Sequence, residues 1–590
     1  MSEQLKNLPV GNGNFEKIIS SDYYYVDKTS LLKTIFKDDS SEGLLITRPR
    51  RFGKTLTLDM FKCFLALNPQ NPQDKSKQER LFCDKQIYKD KDFCNEFMGE
   101  YPVISVSFKD VNGDSFDFAY YKLAETIISL AESFDYLLES SVLNEREKEK
   151  FKRLIDFNLI ENNFRNEGTV SGALKLLAEL LYKHHQKQVI LLIDEYDVPL
   201  SKASSYGYYE KMLPLVRGLL SVLKGNESVL KKSVVTGCLR VVKESIFTGV
   251  NNLKVNTILS DDESLAKAIG FTSEETKDLL DYYGLSELLD KVKEHYDGYN
   301  LASNDIYSAW DLISFTDEAN TMVSQNQSVE FNNFWVNTSS NDIIKEFLGH
   351  ITSEDAEALQ TLIDGGSVVK RINPFVTYED LKSHTSEDFY SMLLYTGYLT
   401  VADFSTYTEA DYLASLRIPN ESVRQCFKHN IYDYFKNSDK AKESSLKIVK
   451  AIFDKDANEL KTAIVRALRT YISVRDISSA YAKEYYYHGF FNGYFSASGD
   501  EISNYKSNAE AGDGYADILF TDADLSLGVV IELKHTDDAI DKAAEKALEQ
   551  IEKKDYTEIF KREFNISNVL CFGIAFKGKS CEVSFKEITL

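Results

Sequence analysis

The chain has 590 residues, 43% hydrophobic and 27% charged, a composition that excludes a largely disordered or collagen-like chain. Lys and Arg number 69 against 92 Asp and Glu, a net charge of −23, so the average field does not attract nucleic acid and such a contact needs local basic groups or metal ions. No apolar run approaches the roughly 20 residues of a membrane helix, and the opening MSEQLKNLPVGNGNFEK lacks a basic stretch followed by an apolar one, which predicts a cytoplasmic protein.

The seven cysteines include no CxxC pair, so buried reduced thiols are expected rather than a zinc site or a disulfide framework. His184 and His185 precede an apolar run and read as a polar helix end. Short apolar runs at Leu44–Thr47, Val103–Phe108, Val189–Ile193 and Ser233–Gly237, with a weaker one at Val255–Leu259, alternate with helical patterns. Such runs predict a parallel sheet buried on both faces, in an α/β domain over residues 1–262. Residues 263–480 read as a mostly helical lid and connector, with helices at Ser273–Tyr283, Leu285–His295 and Ser444–Tyr471, and with Thr352–Ala356 as a solvated linker. Residues 481–590 read as a second α/β domain. Its strands are expected at Tyr515–Phe520, Leu527–Leu533, Val569–Phe576 and Cys581–Phe585, with a helix at about Asp538–Lys554.

The first run leads into Arg48-Pro-Arg-Arg-Phe-Gly53-Lys54-Thr55 and then a helix. Strand, loop and helix N-terminus form the context of a phosphate-binding loop. Gly53 allows close backbone approach, Lys54 would neutralise the β- and γ-phosphates, and Thr55 would hold Mg²⁺. The GxxxxGK[ST] consensus wants glycine where this chain has Arg48, so the segment alone also allows an incidental Gly-Lys-Thr. The second half of the site argues against that. The run from Val189 ends in Asp194-Glu195. Asp194 fits the carboxylate that holds Mg²⁺ through water, and Glu195 fits the base that orients the attacking water. Thr236, ending the next run, is a candidate sensor of the γ-phosphate. Arg240 is either a group reaching the transferring phosphate or an ordinary arginine at a helix start.

The segments LPVGNGNFEKI, YYYVDKTSLL, ITRPRRFGKTLTLDM, LLIDEYDVPL, TGCLRVVKESIFTGVNNLKV, HYDGYN and FWVNTSSNDII resemble the bacterial AAA-ATPase-like family that carries a C-terminal PD-(D/E)xK nuclease-like domain. In that family the loop reads RPRRFGKS or RPRRFGKT, so Arg48 is its usual form. The resemblance implies an additional-strand P-loop ATPase module binding ATP and Mg²⁺. Arg48, Arg51, Phe52, Gly53, Lys54 and Thr55 would form its loop. It also implies that Asp27 and Lys28 approach the nucleotide; the residues themselves read equally as a helix N-cap and a surface lysine.

The last domain holds a second constellation. Asp517 opens one apolar run, and Glu532 and Lys534 end the next, two residues apart and hence on one face of a strand. A carboxylate followed by Glu-x-Lys on the neighbouring strand is the arrangement of PD-(D/E)xK nucleases. Asp517 and Glu532 would bind Mg²⁺ or Mn²⁺, and Lys534 would position the attacking water. Glu510, from a preceding helix or loop, could complete the carboxylate set, and Gln550 and Tyr556 resemble the element that backs this core. Relatives commonly carry arginines where this chain has Ala509 and Tyr515, which lowers the expected hold on phosphate. The aromatic stretch from Tyr485 to Tyr494, His488 included, reads as core packing.

Three functions compete. The first is an ATP-binding and ATP-hydrolysing protein coupled to a metal-dependent nuclease acting on DNA in preference to RNA. The second is a nucleotide-regulated binding switch whose nuclease-like domain does not cleave. The third is a homo-oligomeric motor, which needs an arginine finger in trans that the sequence does not assign.

Overall fold

The computed structural model describes residues 5–38, 41–224, 228–240, 253–334, 353–363, 365–404, 411–437, 439–471, 501–512, 514–536, 538–577 and 580–590, with the single positions 344, 407, 491 and 495. Of the sequence segments that carry the family resemblance, FWVNTSSNDII lies almost wholly outside the described residues, as does most of TGCLRVVKESIFTGVNNLKV; so does the aromatic stretch around His488.

The apolar runs form five strands: β1 (Gly43–Thr47), β2 (Val103–Ser107), β3 (Val189–Asp194), β4 (Leu230–Gly237) and β5 (Leu253–Asn256). They make one sheet in the order β2-β3-β4-β1-β5, and every neighbouring pair is parallel. β1 and β3 are buried along their full lengths, as expected of strands covered on both faces. Ser107 lies opposite Asp194, while Ile46 and Thr47 lie opposite Thr236 and Gly237. By this register the C-terminal ends of β1 to β4 are level, and the side chains leaving them share one edge. The helix Ala173–His185 runs into β3 and does end in His184 and His185.

Helices predominate among the described residues of 263–480, as expected, but short strands lie among them. Six short strands occur there: β6 (Phe271–Thr272), β7 (Tyr299–Leu301), β8 (Asn304–Tyr307), β9 (Val368–Arg371), β10 (Thr400–Val401) and β11 (Leu413–Arg417). They form two three-stranded sheets, β6-β8-β7 and β10-β11-β9. Strands of two to five residues are too short to display a two-residue period. Gly298 of the HYDGYN segment has φ 103°, and a Cβ there would come within 2.0 Å of the Pro419 carbonyl oxygen, so only glycine allows this close passage. Ser353–Ile363 is a helix rather than a linker, and the Ser444–Tyr471 stretch is two helices, Asp439–Phe453 and Ala457–Tyr471.

The C-terminal strands are β12 (Ile502–Ala511), β13 (Gly514–Asp522), β14 (Leu527–His535), β15 (Asn568–Lys577) and β16 (Ser580–Thr589), paired in chain order. β14 and β15 are parallel, joined by a crossover containing the helix Ile540–Lys553; the other pairs are antiparallel. The chain divides into two compact units, residues 1–334 with 369–422, and residues 335–368 with 423–590. Six of the seven cysteines are buried and none is in a disulfide. Among the described residues no helix is long and apolar enough to cross a membrane.

Candidate functional site

In the first unit the level strand ends converge on one carboxylate. Asp194 closes β3 and is buried. Its Oδ2 accepts from the Thr55 hydroxyl at 2.7 Å and from the Ser107 hydroxyl at 3.3 Å, and its Oδ1 from the Thr236 hydroxyl at 2.7 Å. Thr55 comes from the first turn of the helix Lys54–Leu65, Ser107 from the end of β2 and Thr236 from β4. The sequence reading brought together Thr55, Asp194 and Thr236 but missed Ser107, which only the β2–β3 register reveals.

The loop from β1 to that helix is strained in places. Gly53 has φ 99° and Arg51 φ 73°; glycine tolerates this region and arginine does so at a cost of about 1 kcal/mol. Glu195 has φ 52°, which turns its side chain back towards the loop. Its Oε1 lies 3.3 Å from the Lys54 ammonium, which also donates to the Arg48 and Pro49 carbonyls at 3.0 Å each. Burial works against the Lys54 charge, but Glu195, with Asp194 and Asp197, more than offsets it and holds the ammonium above its ordinary value.

A cleft of about 270 Å³ opens over this edge. Its floor is Arg51 to Thr57, with Glu195 at one side; Pro9, Gly11 to Gly13, Tyr24, Tyr25 and Trp310 contribute its walls. The Arg51 guanidinium stacks 5.2 Å from the Trp310 ring and donates to the Phe334 carbonyl. Gly13 faces Thr55 so closely that a Cβ would stand 3.4 Å from its methyl. Lys28 lines the cleft, bonded to Glu275 at 2.6 Å and to the Lys267 carbonyl at 2.7 Å. Burial lowers its pKa against the pull of Glu275.

Three expected nucleotide ligands are engaged elsewhere. Arg48 is 2% exposed, and its guanidinium donates to the Thr47 carbonyl, the Asn256 side chain at 2.6 Å and the Leu265 carbonyl. Asp27 caps its own loop, accepting from Thr29 and, at 2.7 Å, from the Gln86 N–H. The Arg240 guanidinium sits 5.1 Å from the Phe375 ring. None of the three lines the cleft. In each case burial or a local partner makes a structural use of a charged group that the linear motif could not distinguish.

In the second unit the paired strands carry the other constellation. Asp517 on β13 accepts from the Leu533 N–H on β14 at 2.7 Å. Glu532 is buried, and its Oε1 accepts from Lys534 at 2.9 Å and from the Gln550 amide. The same amide lies 3.3 Å from the Tyr556 hydroxyl. Burial raises the Tyr556 pKa, and the charges of Glu532 and Asp517 add to that. Gln550 belongs to the helix Ile540–Lys553, which seats on the sheet where Gly573, the register partner of Glu532 on β15, leaves room. Glu510 departs from expectation. It lies on strand β12, opposite Tyr515, and both are exposed. Among the described residues no group of three or more His, Cys, Asp or Glu side chains is gathered to hold a metal ion.

The donor sets differ in how they suit a divalent cation. The Thr55 hydroxyl and Asp194 carboxylate are oxygen donors 2.7 Å apart, which fits a hard ion such as Mg²⁺. Asp517 and Glu532 offer two carboxylates, which fits a site completed by water and substrate oxygens but not one built from protein ligands alone.

Residues 9–247 match the family described as a predicted AAA-ATPase, and residues 482–586 match the PD-(D/E)XK nuclease superfamily. A relative described as an uncharacterized protein in vnfD 5'region, from Azotobacter chroococcum mcd 1, is 26% identical over 348 residues. That alignment covers 58% of this chain and 56% of the relative.

Proposed function

We propose that the chain binds and hydrolyses ATP in the cleft over the first sheet, and that its C-terminal domain is a metal-dependent phosphodiesterase acting on DNA. The observation that carries the first half is the convergence of Thr55, Ser107 and Thr236 on Asp194, with the Lys54–Glu195 pair on the same edge. In this reading the loop from Arg51 to Thr55 holds the phosphates, and Lys54 meets the β- and γ-oxygens. Thr55 and Asp194 would hold Mg²⁺, whose charge supports the transferring phosphate. Thr236 reports the state of Asp194. Glu195 orients water once phosphate draws Lys54 away from it. The aromatic wall of Tyr24, Tyr25 and Trp310 suits a base and ribose.

For the second half, Asp517 and Glu532 would hold Mg²⁺ or Mn²⁺, which would polarise the phosphodiester. Lys534 orients the attacking water, and Gln550 and Tyr556 fix Glu532. The non-cleaving switch stays a second reading on two observations. Glu532 is already engaged by Lys534 and Gln550, and Tyr515, 65% exposed, stands where relatives carry arginine.

The test of the first half is calorimetric titration of ATP with Mg²⁺ into wild-type protein and Lys54→Ala. Loss of a buried charged contact to phosphate predicts at least about a hundredfold weaker binding. Equal affinity would remove Lys54 from the site.

A further inference from the structure

Asp197 is a buried carboxyl that the proposed machinery leaves unused. It occupies the N-cap of the helix Val198–Ser205, yet its side chain makes no cap bond, although aspartate is among the best caps. Its Oδ2 instead reaches across to β4 and accepts from the Cys238 and Leu239 N–H groups at 3.1 and 3.0 Å. It also accepts from the Tyr378 hydroxyl at 3.0 Å. The residue is 1% exposed, and its Oδ1 has no hydrogen-bond partner. Burial, with Glu195 nearby, raises its pKa. The fit is tight, since a Cβ at Gly237 would fall 2.6 Å from that Oδ1 and 2.7 Å from the Tyr196 ring. A half-satisfied buried carboxyl is costly to a fold, and an ordinary cap would cost less.

What Asp197 fastens gives it a use. Cys238 and Leu239 follow Thr236, whose hydroxyl bonds Asp194, across the single residue Gly237 and directly precede Arg240. On its own chain Asp197 stands two residues after Glu195, in the turn whose left-handed backbone aims Glu195 at Lys54. Tyr378 belongs to residues 369–422, a stretch of the first unit whose two ends continue into chain of the second.

We infer that Asp197 is a positioning residue for ATP hydrolysis. It ties the end of β4 and Tyr378 to the Glu195 turn, so that residues 369–422 set the geometry of the hydrolytic edge. The inference rests on the proposed ATP hydrolysis.

The experiment uses the full chain as wild type, Asp197→Asn, Tyr378→Phe and the double variant. Affinity for a non-hydrolysable ATP analogue with Mg²⁺ is measured beside kcat for phosphate release. Asp197→Asn is expected to lower kcat at least about tenfold, the scale of a lost positioning contact, with analogue affinity held within about threefold. Tyr378→Phe lowers kcat less, also without loss of affinity, and the double variant is no slower than Asp197→Asn because Tyr378 acts only through Asp197. Wild-type kcat in both single variants, parallel loss of affinity and kcat, or multiplying losses in the double variant would overturn the role of Asp197. If Asp197→Asn does not fold, Tyr378→Phe, which deletes one hydroxyl, decides by the same split. Absence of phosphate release by wild-type protein would overturn the hydrolysis reading itself, and this inference with it. Turnover by wild type with unaffected variants would overturn the inference alone.

Discussion

Gly573→Ala tests how the second site is built. A Cβ at Gly573 would stand 2.3 Å from the Ala544 carbonyl oxygen, 2.5 Å from the Leu548 nitrogen and 3.1 Å from the Ala547 Cβ. The first two are backbone atoms of the helix Ile540–Lys553 and cannot rotate away. To restore ordinary contact the helix must retreat by about 1 Å, which costs about 1–3 kcal/mol as overpacking in a tight core. Gln550 rides on the same helix and bonds Glu532 and Tyr556, so the shift also loosens the clamp on Glu532. A displacement near 1 Å at a catalytic group lowers rates by up to about a hundredfold. Hydrogen exchange read on peptides from β14 and β15 in the full chain gives the local stability without assuming two-state unfolding. The expected result is faster exchange there, equivalent to about 1–3 kcal/mol, together with at least about tenfold slower cleavage. Unchanged exchange would refute the seating of this helix against Gly573.

Two further outcomes are expected. Glu195→Gln should leave ATP affinity within about threefold while phosphate release falls by about a hundredfold or more, the scale of a lost general base; an unchanged rate would give the water-orienting role to another group. His185 lies in a partly buried cluster, its Nε2 2.9 Å from the Tyr136 hydroxyl. Burial, with His184 and Lys187, pushes its pKa down to about 4 from 6.5. The unfolded chain then takes up a proton that the fold refuses, so stability falls with pH between 6.5 and about 4, by at most about 3 kcal/mol. His185→Gln should flatten that decline in thermal melts of the first unit, and an equally steep decline would contradict the burial of His185.

Much of the fold was legible because parallel strands announce themselves. β1, β3 and β4 are short apolar runs buried on both faces, and the residues that leave their ends, Lys54, Thr55, Asp194 and Thr236, carry the motif. β12 was not legible. It is an edge strand in which exposed and half-buried positions alternate, so Lys506, Ser507 and Asn508 offered no apolar stripe, and Glu510 was assigned to a helix or loop. Trp310, Tyr24 and Ser107 were missed for another reason: only tertiary folding brings them beside Lys54 and Asp194. Arg48 shows the reverse limit. A linear motif gives the residue type, while burial against Asn256 and Leu265 decides that its guanidinium faces away from the cleft.

In the proposed function a nucleotide site and a phosphodiester-cleaving site share this chain. This is tested most directly by incubating purified protein with single- and double-stranded DNA and RNA, with Mg²⁺ or Mn²⁺, with and without ATP, beside Lys534→Ala. The expected result is cleavage of DNA that requires the metal, responds to ATP and disappears in Lys534→Ala. Cleavage that persists in Lys534→Ala, or none by wild type under any of these conditions, would contradict it.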